Sequence, residues 1–444
     1  MADAWDRRSA AAQGKVRDAG IRSQLTDAVG PFSPYWRDRL RQLGIRAGSV
    51  TDAAALRTLP AVTERDVCGG DPAGAARLVL QADETGWAQH AAGPDLRHGI
   101  AARLRGGHAY RRQVEAAIRP TSYHLGGLGM TLPLASTRAD LDLWARAGAR
   151  LWAVLGLTSA DVCVAGLPVE QRVEHLGLAA AALGAGAPAL HVGEDPDAVA
   201  DALRLLPATV LALPAITAAE TLDLLGEVPP TVATLLLVGA PTPEERTAAA
   251  AAAPGVRVLG VWGPPDGRVL YGESRAGEGY VTYPDLEVLD VVDPDTGAQL
   301  PDGEPGELVL TQLGFRGSAL VRWRTGALLE RPVTTGTAAD GRTVPRLPSA
   351  LSTDALVPVV GVGGRDVAVD LRAVSGALAA RTDLVAFRVD LEATPRGDDL
   401  QLVVTLATAV GVDGQETALA AATAVRAAAG VPVARVVLDD DLQA

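Results

Sequence analysis

Between Thr137 and Val261 short apolar runs alternate with amphipathic stretches of about ten residues, and this pattern constrains the fold more than any other feature of the chain. Thr137 reads as the N-cap of a helix whose apolar face runs through Leu141, Trp144, Ala147 and Leu151. Residues 161–165, 187–192, 209–213, 234–238 and 256–261 read as buried strands, and 176–183, 197–206, 218–225 and 243–252 as the helices between them. Such alternation predicts an α/β fold with a mostly parallel sheet flanked by helices. Ligands of such sheets bind at the carboxyl ends of the strands, which directs attention to the loops after Leu213, Val238 and Val261.

The texture differs on either side. The first 70 residues read as peripheral helices, among them 18–29, 34–43 and a turn in which Thr63 caps a helix with Asp66 three residues on. Residues 71–120 hold Gly-rich loops and an Arg-rich patch at 103–112, read as a solvated face. After Pro264 the pattern becomes antiparallel β, with strands at 286–292 and 307–313 around a turn-rich loop. Residues 367–370, 373–380, 386–392, 400–406, 416–428 and 434–438 then read as a small α+β unit of strands and two helices. The expected organisation is a large domain over 1–330, a Thr-, Pro- and Gly-rich linker over 331–354, and a small C-terminal domain over 355–444.

Composition excludes several functions. A net charge of −13 disfavours a nucleic-acid backbone or an anionic membrane as partner. The two cysteines, Cys68 and Cys163, are too few for a disulfide framework and lack metal-ligand spacing, which fits a reducing, cytoplasmic setting. The N-terminal stretch is charged, unlike a signal peptide, and no free apolar run is long enough for a membrane span. Lys15 is the only lysine in the chain, a bias that a gene favouring Arg codons accounts for. Chemistry that needs a lysine deep in the fold therefore has no candidate.

Several motifs carry a resemblance. Asp293–Pro294–Asp295–Thr296–Gly297 precedes Leu300–Pro301–Asp302–Gly303–Glu304–Pro305–Gly306–Glu307–Leu308–Val309, and Arg322–Trp323–Arg324–Thr325–Gly326–Ala327 follows. With the helix start at Thr137 and the triplet Gly364–Arg365–Asp366, this order and spacing resembles the phenylacetate–CoA ligases, which are adenylate-forming enzymes. The resemblance covers the chain from about residue 30 to its end. It implies a large adenylate-forming N-terminal domain, with mostly parallel sheets and a β subdomain, followed by a small α+β C-terminal lid. In that family ATP with Mg²⁺ and a carboxylate give an acyl-adenylate, which is passed to coenzyme A.

The family's phosphate loop carries Ser and Thr hydroxyls and a lysine, since short donors and backbone N–H groups close around anionic oxygens. In register with it stand His124, Leu125, Gly126, Gly127, Leu128, Gly129, Met130 and Thr131. Gly126 and Gly129 keep the turn, while the hydroxyls within the loop and the lysine are gone. The acidic metal-binding segment corresponds to Trp262–Gly263–Pro264–Pro265–Asp266, which leaves Asp266 as the metal candidate on a stem one methylene shorter. Ala327 stands where the family's ribose-binding Asp belongs, and Pro432 about where its catalytic lysine belongs. Gly239 and Ala240 correspond to the loop against adenine, without the family's Glu. Cofactor-binding candidates are accordingly Gly126, Gly129, Gly239, Ala240, Trp262, Asp266, Arg324 and Arg365, and acid-pocket candidates are His124, Glu170, Arg172 and His175.

Together these losses remove most of the electrostatic stabilisation that adenylation requires, at roughly 2–4 kcal/mol for each lost group. The sequence thus reads as a diverged homologue that keeps the fold to bind a small carboxylic acid, an acyl-CoA or a partner protein such as an active paralogue. The alternative is a working acid–CoA or acid–amine ligase with a rearranged site, using ATP, Mg²⁺ and coenzyme A. A third reading is acyl transfer on an already activated substrate, although no nucleophile–base pair stands out among the six histidines.

Overall fold

The computed structural model describes residues 4–69, 72–92, 108–126, 132–168, 172–349, 351–352, 356–360, 366–370, 374, 377–378, 381–393, 400–429 and 432–439. The chain divides into two compact units. The described residues up to Leu351 belong to the larger, and those from Ser352 on to the smaller.

The larger unit is built on a six-stranded sheet. Its strands are β3 (Cys163–Ala165), β4 (Ala189–His191), β5 (Val210–Pro214), β6 (Thr234–Val238), β7 (Arg257–Trp262) and β8 (Tyr271–Gly272), in the spatial order β4-β3-β5-β6-β7-β8. All pairings are parallel except the last, where β8 turns back on β7. Helix α1 (Arg138–Val154) precedes them, and α2 (Arg172–Ala185), α3 (Pro196–Leu205), α4 (Ala218–Leu225) and α5 (Pro243–Ala252) lie between them. An α/β architecture with a parallel sheet is what the alternation predicted.

The apolar runs are uninterrupted because both faces of this sheet are covered. Val210, Ala212, Leu236 and Val238 face one way, into a core with Leu151, Val173, Leu178 and Ala181 of α1 and α2. Leu211, Leu213, Leu235 and Leu237 face the other way, against Val199, Leu203, Leu222 and Ala249 of α3, α4 and α5. Three helices start on reciprocal caps, in which Thr63 pairs with Asp66, Thr137 with Asp140, and Thr242 with Glu245. At Gly184 an added Cβ would stand 1.9 Å from the Ala145 carbonyl oxygen, so α1 and α2 cross at a distance only glycine permits.

Ahead of α1 lies a hairpin of β1 (Ser122–Gly126) and β2 (Leu132–Ser136). After β8 the chain forms an antiparallel sheet of β9 (Glu287–Val292), β10 (Gly306–Gln312), β11 (Trp323–Leu329) and β12 (Leu351–Ser352), in that spatial order. Residues 331–349, expected as part of a linker, carry structure of the larger unit. Arg346–Leu347 pairs with Tyr280–Val281, and Arg342 donates to Asp6 Oδ2 at 2.8 Å. Thr and Pro in this stretch fit an edge pairing and turns as well as they fit a linker, and composition alone does not separate the two.

The smaller unit contains β13 (Leu356–Val360) paired with β14 (Asp366–Asp370). It also has a three-stranded sheet of β15 (Leu384–Ala393), β16 (Leu400–Thr408) and β17 (Arg435–Leu438). Helix α6 (Gly414–Ala429) contributes Ala421 and Val425 to a core with Leu402, Val404 and Leu406. Among the described residues no helix is long and apolar enough to cross a membrane.

Candidate functional site

Two of the sequence-derived candidates, Gly126 and Asp266, come together beside Trp323 of β11. Gly126 ends β1, and a Cβ there would lie 2.6 Å from Asp266 Oδ1 and 2.8 Å from Leu134 Cδ1. The glycine therefore allows the Asp266 carboxylate to press against the backbone of the hairpin. Asp266 is fully buried, and its Oδ2 accepts a 2.7 Å hydrogen bond from Nε1 of Trp323. Trp323 in turn is fully buried on β11. The candidate metal ligand is thus engaged by an indole, and among the described residues no group of three or more His, Cys, Asp or Glu gathers to hold an ion.

Arg268, which the sequence reading did not single out, is the cation of this region. It has no solvent exposure and lies over the Phe315 ring at 5.2 Å. Its guanidinium donates to Ser136 Oγ at 3.3 Å, to the Ala135 carbonyl at 2.7 Å, to the Ser318 carbonyl at 3.3 Å, and to Gln312 Oε1. Burial pulls its pKa down to about 10, opposed by the charges of Asp140 and Asp266. Asp140 itself accepts from the backbone N–H groups of Arg316 and Gly317, each at 2.7 Å, and of Thr137 at 2.9 Å.

His124 sits on the inward face of β1, 4% exposed, edge-on to Trp144 with ring centres 5.5 Å apart. Neither ring nitrogen has a hydrogen-bond partner among the described residues. Burial, and then the nearby charge of Arg268, push its pKa down to about 3. A histidine whose folded pKa lies below its unfolded value of about 6.5 stabilises the fold above that value, and the contribution is lost as pH falls toward 3. We expect His124→Phe to hold a constant difference in melting temperature from the parent above pH 7. Between pH 6.5 and 4 the variant should gain progressively on the parent. Melting curves across pH test this, and a difference that stays flat down to pH 4 would refute it.

The remaining nucleotide candidates are enclosed. Gly239 leaves β6 with φ +89°, a conformation that favours glycine at the strand end. Ala240, Trp262 and Ala327 are 1%, 0% and 0% exposed and belong to one apolar cluster with Tyr271, Tyr280, Tyr283 and Phe315. Trp262 stacks on Tyr271 at 5.7 Å, and Tyr271 on Tyr283 at 6.1 Å. At the edge of this cluster Glu287 is buried, which raises its pKa to about 8. The neighbouring Tyr271 hydroxyl opposes that shift, and burial with the Glu287 charge pushes the Tyr271 pKa up. Arg324 is paired across the sheet, with Nε donating to Glu307 Oε2 at 2.7 Å and a terminal nitrogen reaching the Pro294 carbonyl.

The acid-pocket candidates divide. His175 lies in the first turns of α2, and its ring contacts that of His191 at the end of β4, with centres 4.5 Å apart. Burial, with the neighbouring His175, lowers the His191 pKa to about 4. Sequence reading missed His191, because it lies 16 positions on from its partner and only the α2–β4 packing joins them. Gly129, Glu170 and Arg365 lie outside the described residues, as does the Arg172 side chain. Pro432, standing near the expected lysine position, is exposed.

The backbone path defines an adenylate-forming ligase fold. Three solved structures of 2-hydroxyisobutyryl-CoA ligase match 98% of this chain. In the postadenylation state with 2-HIB-AMP the TM-score is 0.64 at 18% identity, covering 88% of that chain. In the thioesterification state with 2-HIB-AMP and CoA it is 0.63 at 17% identity, covering 88%, and in an open conformation 0.61 at 18%, covering 89%. At these identities the likeness establishes the fold. No protein-family model and no curated protein matches the sequence.

Proposed function

We propose that this chain is a diverged homologue of the adenylate-forming ligases that does not adenylate, and that it keeps the fold to bind a small ligand or a partner protein. One observation carries the reading. Ala240, Trp262 and Ala327, which the resemblance places against adenine, metal and ribose, are sealed together in one apolar cluster without solvent access. The polar groups that could serve a nucleotide nearby are already bound, Asp266 by Trp323 and Arg324 by Glu307. A ribose hydroxyl or a phosphate entering this region would have to displace stacked aromatic rings and lose its own hydration.

A small ligand has other room. An open groove of about 620 Å³ lies along α1 and the end of α2, lined by Arg146, Arg150, Trp152, Thr158, Ser159 and Gly184. This volume is in the range of small-molecule sites, and it shares no residue with the sealed cluster. Arg150 is paired there with Asp285 and the Thr158 hydroxyl donates to Asp161, so Arg146 and Ser159, beside an apolar wall, are the groups that would meet a small carboxylic acid.

The second reading is an ATP-dependent acid–CoA or acid–amine ligase with a rearranged site. It is favoured by the match over 98% of the chain to an enzyme whose structures hold an acyl-adenylate and CoA. Titration of the purified chain with ATP and Mg²⁺ and measurement of acid-dependent pyrophosphate exchange decide between the two. We expect no heat of nucleotide binding up to millimolar ATP and no exchange with aromatic or aliphatic acids. Robust exchange with any carboxylic acid establishes the second reading.

A further inference from the structure

We propose that His175 and His191 form a binding site for one divalent transition-metal ion of the zinc class. Strand β4 is the edge of the parallel sheet, and His191 is its last residue, level in register with Ala165 at the end of β3. The chain leaving β3 enters α2, whose first turn carries His175 back over that edge. The pair therefore sits at the carboxyl end of two neighbouring strands, the end at which such sheets bind ligands.

The rings touch but do not bond. Their centres are 4.5 Å apart and their planes are inclined at 57°. Nδ1 of His175 and both ring nitrogens of His191 are shielded from water and have no hydrogen-bond partner among the described residues. Buried imidazole nitrogens without partners are costly, and here three such atoms lie on two adjacent rings. Groups orphaned in this way call for a missing partner; each neutral ring offers one lone pair, and a single ion takes one from both rings at once. Histidine is the commonest metal ligand, through the lone pair of a neutral ring. With nitrogen–metal distances of about 2.0–2.1 Å, two imidazoles on one ion at roughly 90–110° hold their centres about 4.5–5.2 Å apart. The observed separation falls at the near end of that range.

No third His, Cys, Asp or Glu joins the pair among the described residues. The other coordination positions would fall to water or to an exchangeable ligand, as in metal sites that keep an open position. Leu176 and Leu190, next in sequence to the two ligands, are 40% and 39% exposed, so the pair lies just below the surface and within reach of solvent ions. The site is independent of whether the chain adenylates.

The test is calorimetric titration of the chelator-treated full chain with Zn²⁺ alone. One equivalent should bind, and His175→Gln and His191→Gln should each weaken it by at least about tenfold. His108→Gln, an exposed position on the helix His108–Ile118, should leave binding unchanged. Circular dichroism checks that each variant is folded. Should His191→Gln fail to fold, His175→Gln decides alone, because that side chain is only partly buried on a helix. Absence of Zn²⁺ binding at millimolar concentration overturns the proposal, as does binding that survives in folded His175→Gln with unchanged affinity.

Discussion

Ala327→Asp should destabilise the larger unit strongly and bring no nucleotide binding. By sequence this substitution restores the ribose acceptor of the adenylate-forming ligases. In the fold, residue 327 has no solvent exposure and shares a cluster with Trp262, Tyr271, Tyr280 and Phe315. Its backbone N–H donates to Thr325 Oγ1 at 3.2 Å, which holds the position in place. A carboxylate placed there displaces packed apolar atoms, and the nearby buried cation Arg268 is already engaged by Ser136, Ala135, Ser318 and Gln312. An unpaired buried charge of this kind costs about 3–5 kcal/mol. Urea denaturation, with ATP titration of the same sample, provides the check. Parental stability combined with micromolar ATP affinity would mean that the cluster opens to solvent and that the nucleotide site persists.

The second large effect is expected at Asp290. Its carboxylate is buried and accepts from Arg57 Nε at 2.7 Å and from Arg322 at 2.9 Å. Arg322 is itself 1% exposed and has φ +50°, the one non-glycine residue in the left-handed region among those described. That conformation costs roughly 1–2 kcal/mol and is held by the Thr311 hydroxyl, which accepts the Arg322 N–H at 2.9 Å, and by Val62, whose N–H donates to the Arg322 carbonyl at 2.8 Å. Asp290→Ala leaves the Arg322 guanidinium buried without its counter-charge, and we expect a loss of about 3–5 kcal/mol. Asp302→Ala removes the exposed partner of Arg57 and should cost no more than about 1 kcal/mol. Equal effects of the two substitutions in urea denaturation would show that burial gives the Asp290 pair no special weight.

Much of the fold was legible in the chain. The strands of the parallel sheet are runs such as Val210–Pro214 and Thr234–Val238, apolar on both faces, which only a doubly covered sheet accommodates. Helix starts at Thr63 and Thr137 were legible because a capping box is a local hydrogen-bond exchange over three residues. The linker expectation met a different outcome at Arg346–Leu347, since pairing with Tyr280–Val281 depends on a distant edge.

The candidate site divides along the same line. The absence of hydroxyls at 124–129, of lysine at 124–131 and of a carboxylate at 327 is a property of the sequence alone, because no fold supplies a missing functional group. What the present residues do instead was decided by tertiary structure. Asp266 reads as a metal ligand until Trp323, 57 residues on, is seen to donate to it. Arg324 reads as a cofactor-binding candidate, and the fold pairs it with Glu307 across the sheet. Arg268 and His191 carry no local signal, and their character comes from burial and from neighbours distant along the chain. Sequence determines which groups a chain possesses and the periodicity that buries them; packing decides which of those groups meet, because desolvation and long-range pairing depend on distances in space rather than along the chain.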